Sequence, residues 1–412
     1  MKRILLILLK AVAALLLVLA LVVVIFSVSP VYHFEAPHAF DGPDIYNPYD
    51  GVTCEWKRAN FHTHTRVDNI LNECPDYPDK VYDDYRKLGY DIVSFSNHNL
   101  ITPHPVDTSL QIDVYEHGIN IAKFHKLVFN PRRVHIYDHL IPLMVSQKQW
   151  QYDYLGSDSD FLVMNHPDRT LFMNEATMRK LSGYRFIEAD CGVDQSLVRW
   201  DEGLSAGHYS HNLISDDCHD SGNHRKIARR CIWLDVPSAR YEDVAPALIA
   251  GRFYAMRIPD FGDGDWAVKY AANANLPCIE DIGVRSDSVY VQFSAPARIE
   301  AWGQGHELLA EAEGNSLVYR LLPNEPYVRF IAFFNDGVTI YSNAFARYDQ
   351  ALADSPYEVA PHKVNWLLTV LYNLGLLILA LVLLRLLKAT LAHKKKKTRP
   401  TVEELRFRGI VP

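Results

Sequence analysis

The stretch Arg58-Ala59-Asn60-Phe61-His62-Thr63-His64 ends a short run on two histidines, and four later runs end in the same manner. Residues 91–97 precede His98, residues 111–115 precede Glu116, residues 161–165 precede His166, and residues 211–215 precede Asp216, Asp217 and His219. A parallel sheet is buried on both faces, so its strands read as brief β-branched and aromatic runs, and polar chemistry collects at their C-terminal edge. The repetition predicts an α/β fold that presents metal ligands from the ends of several strands. His62 and His64, two apart, fall on one side of an extended chain and can offer both imidazoles to one ion.

The remaining runs supply matching chemistry. Glu116 has two oxygens, enough to bridge two ions and offset part of their charge. His125 precedes a further strand-like run and is a candidate to complete a shell; His117, next to Glu116, competes for that place but suits a loop role slightly better. Pro167 locks the turn after His166 and holds that imidazole at a strand tip. Asp217 and His219 are again two apart and can share an ion, with Asp216 orienting a ligand from behind. Glu188, which closes the run Arg185-Phe186-Ile187, is a candidate for the pocket wall.

Two apolar segments frame this region. Ile4 to Phe26, interrupted only by Lys10, follows Lys2 and Arg3 and is long enough at ~1.5 Å per residue to cross a hydrocarbon core of ~30 Å. It reads as an uncleaved anchor, since no small-x-small cleavage site follows it. Val364 to Leu384 is the second, and a tail containing Lys394 to Lys397 follows it. Positive charge outside both apolar segments predicts that both termini are cytoplasmic and that the intervening residues are extracytoplasmic, at the inner membrane if the cell is bacterial.

The whole chain of 412 residues carries 42 Lys and Arg against 49 Asp and Glu. Outside residues 1–10 and 385–412 the balance is 30 basic to 47 acidic, which argues against nucleic acid as a partner, because backbone binding needs clustered cations. None of the six cysteines, Cys54, Cys74, Cys191, Cys218, Cys231 and Cys278, stands in a CxxC pair, so a zinc knuckle is not expected. A Cys54–Cys74 disulfide is compatible with an oxidising compartment. Prolines 30, 37, 43 and 48 make residues 30–56 an irregular lead-in. Beyond residue 263 the pattern changes to period-two runs at 288–293, 316–321 and 327–334, which predict a small antiparallel β-sandwich.

Taken in order, these motifs resemble the polymerase and histidinol phosphatase (PHP) family of metallohydrolases. The opening HxH matches His62 and His64, the next strand end His98, the acid Glu116, a further histidine His125, the His-Pro pair His166, and the closing DxH Asp217 with His219. The resemblance covers residues 57–260, and residues 242–255 look like the family's closing helix; residues 286–348 are similar to the appendage of the carbaryl-hydrolase-like branch. It implies a distorted (β/α)7 barrel over residues 57–262 and a β-sandwich over 263–352. These lie between an anchor at 1–29 and a transmembrane helix at 364–385, with a basic tail at 386–412.

The same resemblance implies two or three divalent ions (Zn, Mn or Fe) and hydrolysis of a small anionic phosphoester. The alternatives are cleavage of carboxylic ester or amide-like bonds, or a metal-binding or sensory ectodomain without turnover. Asp217 is the expected catalytic carboxylate, with Arg66 and Arg225, beside Arg169 and His224, to hold the anionic leaving group. The chain departs from the family pattern at Asn60 and Asn97, where Asp is usual. If the acid is aligned on Gly118 it falls on Asn120, a poor ligand; aligned on the strand end it is Glu116, the choice that better compensates the ions' charge.

Overall fold

The computed structural model describes residues 2–190, 197–357 and 362–392, so Cys191 and the lysine-rich tail lie outside the described residues. The chain divides into two compact units, residues 29–366 and the two terminal segments. In the terminal unit the helices Lys2–Ile25 and Trp366–Leu391 are long and apolar enough to cross a membrane. The second starts later than the hydropathy suggests, because Lys363–Val364 is a strand paired with Tyr32–His33. It also runs on past Arg385 to Leu391.

Residues 29–366 form a mixed α/β fold of open sheets. An 11-stranded sheet runs Ile279–Arg285, Ser288–Gly303, Tyr327–Phe334, Thr339–Tyr341, Phe253–Arg257, Arg230–Asp235, Trp56–Asn60 and Ile92–Val93, with three further strands off this path. A five-stranded sheet runs Val114–His117, Lys126–Phe129, Phe161–Met164, Phe186–Ile187 and His211–Asn212. These ladders do not close into a (β/α)7 barrel, and the reason is local. Only residues 118–125 join Val114–His117 to Lys126–Phe129, too few for a crossover helix, so the two strands pair antiparallel. Parallel pairing survives between Trp56–Asn60 and Ile92–Val93 and among the last three strands of the smaller sheet.

The C-terminal strands are antiparallel as their period-two pattern predicts. They do not form a separate sandwich: Ser288–Gly303 pairs with Glu307–Arg320 and Tyr327–Phe334, and the ladder continues through Thr339–Tyr341 into Phe253–Arg257. The segment expected as one closing helix is a helix and a strand. Tyr241–Ala250 begins with Glu242 and Asp243 at its positive end and stops at Gly251, whose φ of 84° ends it in the left-handed region, before Phe253–Arg257.

What positions the site is a core shared by both sheets: Ala59, Phe61, Val114, Phe129, Val163 and Ile232 belong to one buried cluster. Two isolated parallel bridges, Thr63 to Cys218 and His98 to Glu116, tie the strand ends together above it. Behind the first strand the buried Arg58 donates to the Leu88 carbonyl at 2.7 Å and lies 3.9 Å from the centre of the Tyr90 ring, fixing the helix Pro78–Lys87 against the sheet. Cys54 and Cys74 are both free thiols, so that disulfide is not formed; the Cys74 thiol is buried in a core with Val81 and Tyr85 instead.

Candidate metal centre

Eight side chains named from sequence converge at one edge of the two sheets. His62 and His64 follow the strand Trp56–Asn60, His98 follows Ile92–Val93, Glu116 lies in Val114–His117, and His166 follows Phe161–Met164. His125 precedes its strand rather than following it, and reaches the same edge because that strand runs antiparallel. Asp217 and His219 leave the loop after His211–Asn212.

Glu116 is the hub. Its Oε2 lies 3.4 Å from His62 Nε2, 3.3 Å from His64 Nε2 and 3.4 Å from His98 Nε2, while its Oε1 lies 3.0 Å from His125 Nδ1 and 3.3 Å from His166 Nε2. Asp217 Oδ1 is 3.3 Å from His62 Nε2, 3.4 Å from His64 Nε2 and 3.1 Å from His219 Nε2. Three sets of donor atoms are mutually close enough to hold an ion: His62, His64, Glu116 and Asp217; His98, Glu116 and His125; and His64, Glu73 and His98.

The donor set fits divalent ions. Two ligand atoms each ~2.1 Å from an ion at a tetrahedral angle stand ~3.4 Å apart, the separation found between the imidazoles of His62 and His64 and the two carboxylates. The Nε2 atoms of His62 and His64 are buried and have no hydrogen-bond partner among the described residues, an expensive arrangement for a nitrogen whose lone pair is not otherwise used. Burial of both carboxylates favours their neutral forms, yet the surrounding imidazoles hold Glu116 and Asp217 well below the usual carboxylate range. Burial pulls His64 down, and the Asp217 and Glu116 carboxylates outweigh it and raise it to about 9.

Supporting contacts set the orientation. Glu188 Oε1 lies 2.8 Å from His62 Nδ1, and Glu188 Oε2 accepts the His166 backbone N–H at 3.1 Å, so this carboxylate aims the His62 imidazole and holds the backbone at His166. The Asn165 amide donates to Glu116 Oε1 at 2.9 Å and its carbonyl accepts from the Leu127 N–H at 2.8 Å. His166 and Asp217 hold φ values of 29° and 49°, and His166 does so before a proline, where that region is disfavoured. Backbone strain of this kind concentrates at functional sites.

The two departures from the family pattern are explained by their contacts. Asn97 donates to Thr65 Oγ1 at 2.7 Å and Thr102 Oγ1 at 2.6 Å and accepts from the Thr65 N–H, while Asn60 accepts from the Asp216 N–H at 3.1 Å. An aspartate at position 97 would lose both donated bonds. Asn120 stays in its own loop, bonded to Phe124 and Asp138, so Glu116 is the residue brought to the cluster. His117 is turned to the Tyr137 carbonyl at 2.9 Å.

The arginines sort unequally. Arg169 donates to Asp217 Oδ2 at 2.5 Å and lines, with Asp217, His219, Arg225, Lys226 and Arg229, a cleft of about 290 Å³ beside the cluster. Asp216 builds that cleft: it accepts from Tyr85 Oη at 2.8 Å and from the backbone N–H groups of Ala228, Arg229 and Arg230, each at 2.7 Å. Arg225 reaches the cleft although it pairs with Asp263 at 3.1 Å. Arg66 does not: it pairs with Asp68 at 3.8 Å and packs over Tyr77. His224 turns to Asp260 at 2.6 Å.

Sequence reading missed Glu73. Its Oε2 is 3.3 Å from His98 Nε2 and 3.4 Å from His219 Nδ1, and the hydrogen bond from His98 holds its carboxyl below the usual range. It sits in a loop with no periodic pattern, so no signal marked it.

No family model and no curated protein matches the chain. Among solved structures it is similar to a two-domain protein containing a predicted PHP-like metal-dependent phosphoesterase from Bacteroides vulgatus ATCC 8482. The identity is 14% and the TM-score 0.36, over 76% of this chain and 100% of that one.

Proposed function

We propose that this chain is a membrane-anchored, metal-dependent phosphoesterase of PHP type, its hydrolytic unit extracytoplasmic. The observation that carries the reading is the sharing of one buried carboxylate, Glu116, among five imidazoles, next to a cleft lined with cations. His62, His64, Glu116 and Asp217 would hold one divalent ion, and the sets His98, Glu116, His125 and His64, Glu73, His98 would hold one or two more, with His166 beside Glu116 and His219 beside Asp217 and Glu73 as further donors. Such ions supply Lewis acidity toward water and toward the phosphoryl oxygens.

The chain's own residues then divide the work. Arg169, Arg225, Lys226 and Arg229 bind and orient a dianionic phosphoryl group, the half-buried Arg169 and Arg229 closest to low-dielectric surroundings and the exposed Arg225 and Lys226 at the rim. Asp217, ionised and bonded to Arg169, is too weak a base to remove a proton efficiently near neutral pH, so its role is to hold an ion and to position the arginine. Glu188 fixes the ring of His62, and Asn165 fixes Glu116.

The test uses the full chain in detergent, stripped with a chelator and resupplied with Zn²⁺, Mn²⁺ or Fe²⁺. Release of nitrophenol from nitrophenyl phosphate is expected only with metal, and His62→Ala is expected to abolish both it and stoichiometric metal uptake. Metal uptake with no turnover on phosphate mono- and diesters, or faster cleavage of nitrophenyl acetate, refutes the phosphoesterase assignment.

A further inference from the structure

The loops that bring Glu73, His98, His125 and His166 to the candidate centre also leave large apolar side chains in solvent. Ile70 stands three residues before Glu73, Leu100 two after His98, Ile119 and Ile121 between Glu116 and His125, and Leu171 and Phe172 just beyond His166 and Arg169. Their exposure runs from 38% at Leu100 to 98% at Ile70. Singly, such residues are ordinary on a protein surface; gathered in one place they mark a binding face.

Backbone bonds gather them. The Asn99 N–H donates to the Glu116 carbonyl at 2.9 Å, which joins the loop of Leu100 to the strand end that leads to Ile119. The Leu171 N–H donates to the Ala122 carbonyl at 2.8 Å and Thr170 Oγ1 to the Lys123 carbonyl at 2.9 Å, so Ile121 and the pair Leu171 and Phe172 lie on adjoining loops. Glu73 draws in the loop of Ile70 through His98, 3.3 Å away. Phe172 holds a φ of 61°, a left-handed conformation rare for a bulky residue, and is exposed even so.

This apolar rim and the cleft beyond it differ in chemistry. Only charged and polar side chains line the cleft, so it suits a phosphoryl group and not an alkyl one. Arg169 joins the two surfaces, since it lines the cleft and Thr170, Leu171 and Phe172 follow it directly in the chain. An ester held there by its phosphoryl group has the rim as a neighbouring surface for the rest of the molecule.

We propose that the centre selects amphiphilic phosphate esters, the phosphoryl group in the cationic cleft and an alkyl chain packed on the rim of Ile119, Ile121, Leu171 and Phe172. The inference deepens the phosphoesterase reading and rests on it for the place of the phosphoryl group.

Full-chain protein loaded with Mn²⁺ in phosphatidylcholine nanodiscs is titrated calorimetrically with ethylphosphonate and hexylphosphonate, with empty nanodiscs as the blank. The carbon–phosphorus bond resists hydrolysis, so affinity is read without turnover. Hexylphosphonate is expected to bind about tenfold tighter, because its four further methylenes are partly covered on an open rim. The ratio of kcat/KM for hexyl phosphate to that for ethyl phosphate should match, since the two alcohols are equally poor leaving groups and chain length changes binding alone. Ile121→Asn with Phe172→Asn should bring both ratios close to one, Ile121→Leu should keep them, and stoichiometric metal uptake in each variant shows that the centre is intact. Equal affinities for the two phosphonates in the parent overturn the proposal, whether a bilayer surface or a second copy of the chain covers the rim instead. An undiminished preference in the double asparagine variant overturns it too. A tenfold preference with neither ester cleaved supports the rim and overturns the phosphoesterase reading alone.

Discussion

Replacing Glu188 with glutamine tests the logic of the metal centre at a residue that holds no ion. Glu188 spends both oxygens as acceptors, one for the His62 Nδ1–H at 2.8 Å and one for the His166 backbone N–H at 3.1 Å. Glutamine has one carbonyl oxygen, and the backbone N–H can only donate, so the oxygen must stay with His166 and the amide NH₂ must face His62. Nδ1 of His62 then has to accept, its proton moves to Nε2, and the nitrogen that faces Glu116 and Asp217 loses its free lone pair. Loss of such an orienting carboxylate weakens metal binding by about 10–100-fold, or ~1.4–2.8 kcal/mol at ~1.4 kcal/mol per tenfold. Competition titration against a chromophoric chelator measures the affinity, and circular dichroism checks the fold. An affinity within about threefold of the parent in a folded variant would falsify the claim that Glu188 sets the His62 tautomer.

Arg169→Ala removes a charge-assisted bond to Asp217 and a cation from the cleft, and kcat/KM for a phosphate ester should fall about 10–100-fold in steady-state assays. Chelation should lower the thermal midpoint, since ions at about 100 times their dissociation constant stabilise a protein by ~2.7 kcal/mol; differential scanning fluorimetry with and without chelator reads it. His211 is fully buried, and burial together with Arg185 pushes it down to about 3. The unfolded chain therefore binds a proton that the folded one does not between about pH 6.5 and 3. Stability should fall as pH drops through that window by up to ~5 kcal/mol, and urea melts of His211→Leu should show a shallower fall. Gly251→Ala would place a Cβ 2.3 Å from His211 Cε1 at a φ of 84°, and urea unfolding should show a loss of about 2–4 kcal/mol.

Most of the cluster was legible because its ligands lie at the ends of short buried strands, where side-chain alternation pairs His62 with His64 and a strand end presents Glu116 to the cluster. The number and direction of strands were not, since direction depends on connection length in three dimensions: the eight residues 118–125 turn one strand back and open what read as a barrel. Proximity in sequence misled for Arg66 and His224, whose neighbours in space, Asp68 and Asp260, draw them away from the cluster. Glu73 reaches it from an irregular, half-exposed loop, a position that carries no pattern. The departure at Asn97 was visible in the sequence, but its two amide bonds to the Thr65 and Thr102 hydroxyls were not, because Thr65 is 32 residues away.

The pairing of Tyr32–His33 with Lys363–Val364 has a practical corollary. Entrance and exit of the 29–366 unit stand on adjacent rungs, so a linker of a few residues could span them and new ends could be opened at an exposed turn elsewhere. A permuted chain of that sort would carry the 29–366 unit without the two apolar helices and without cutting any strand that leads to the cluster, so that its folding and metal uptake could be measured apart from them.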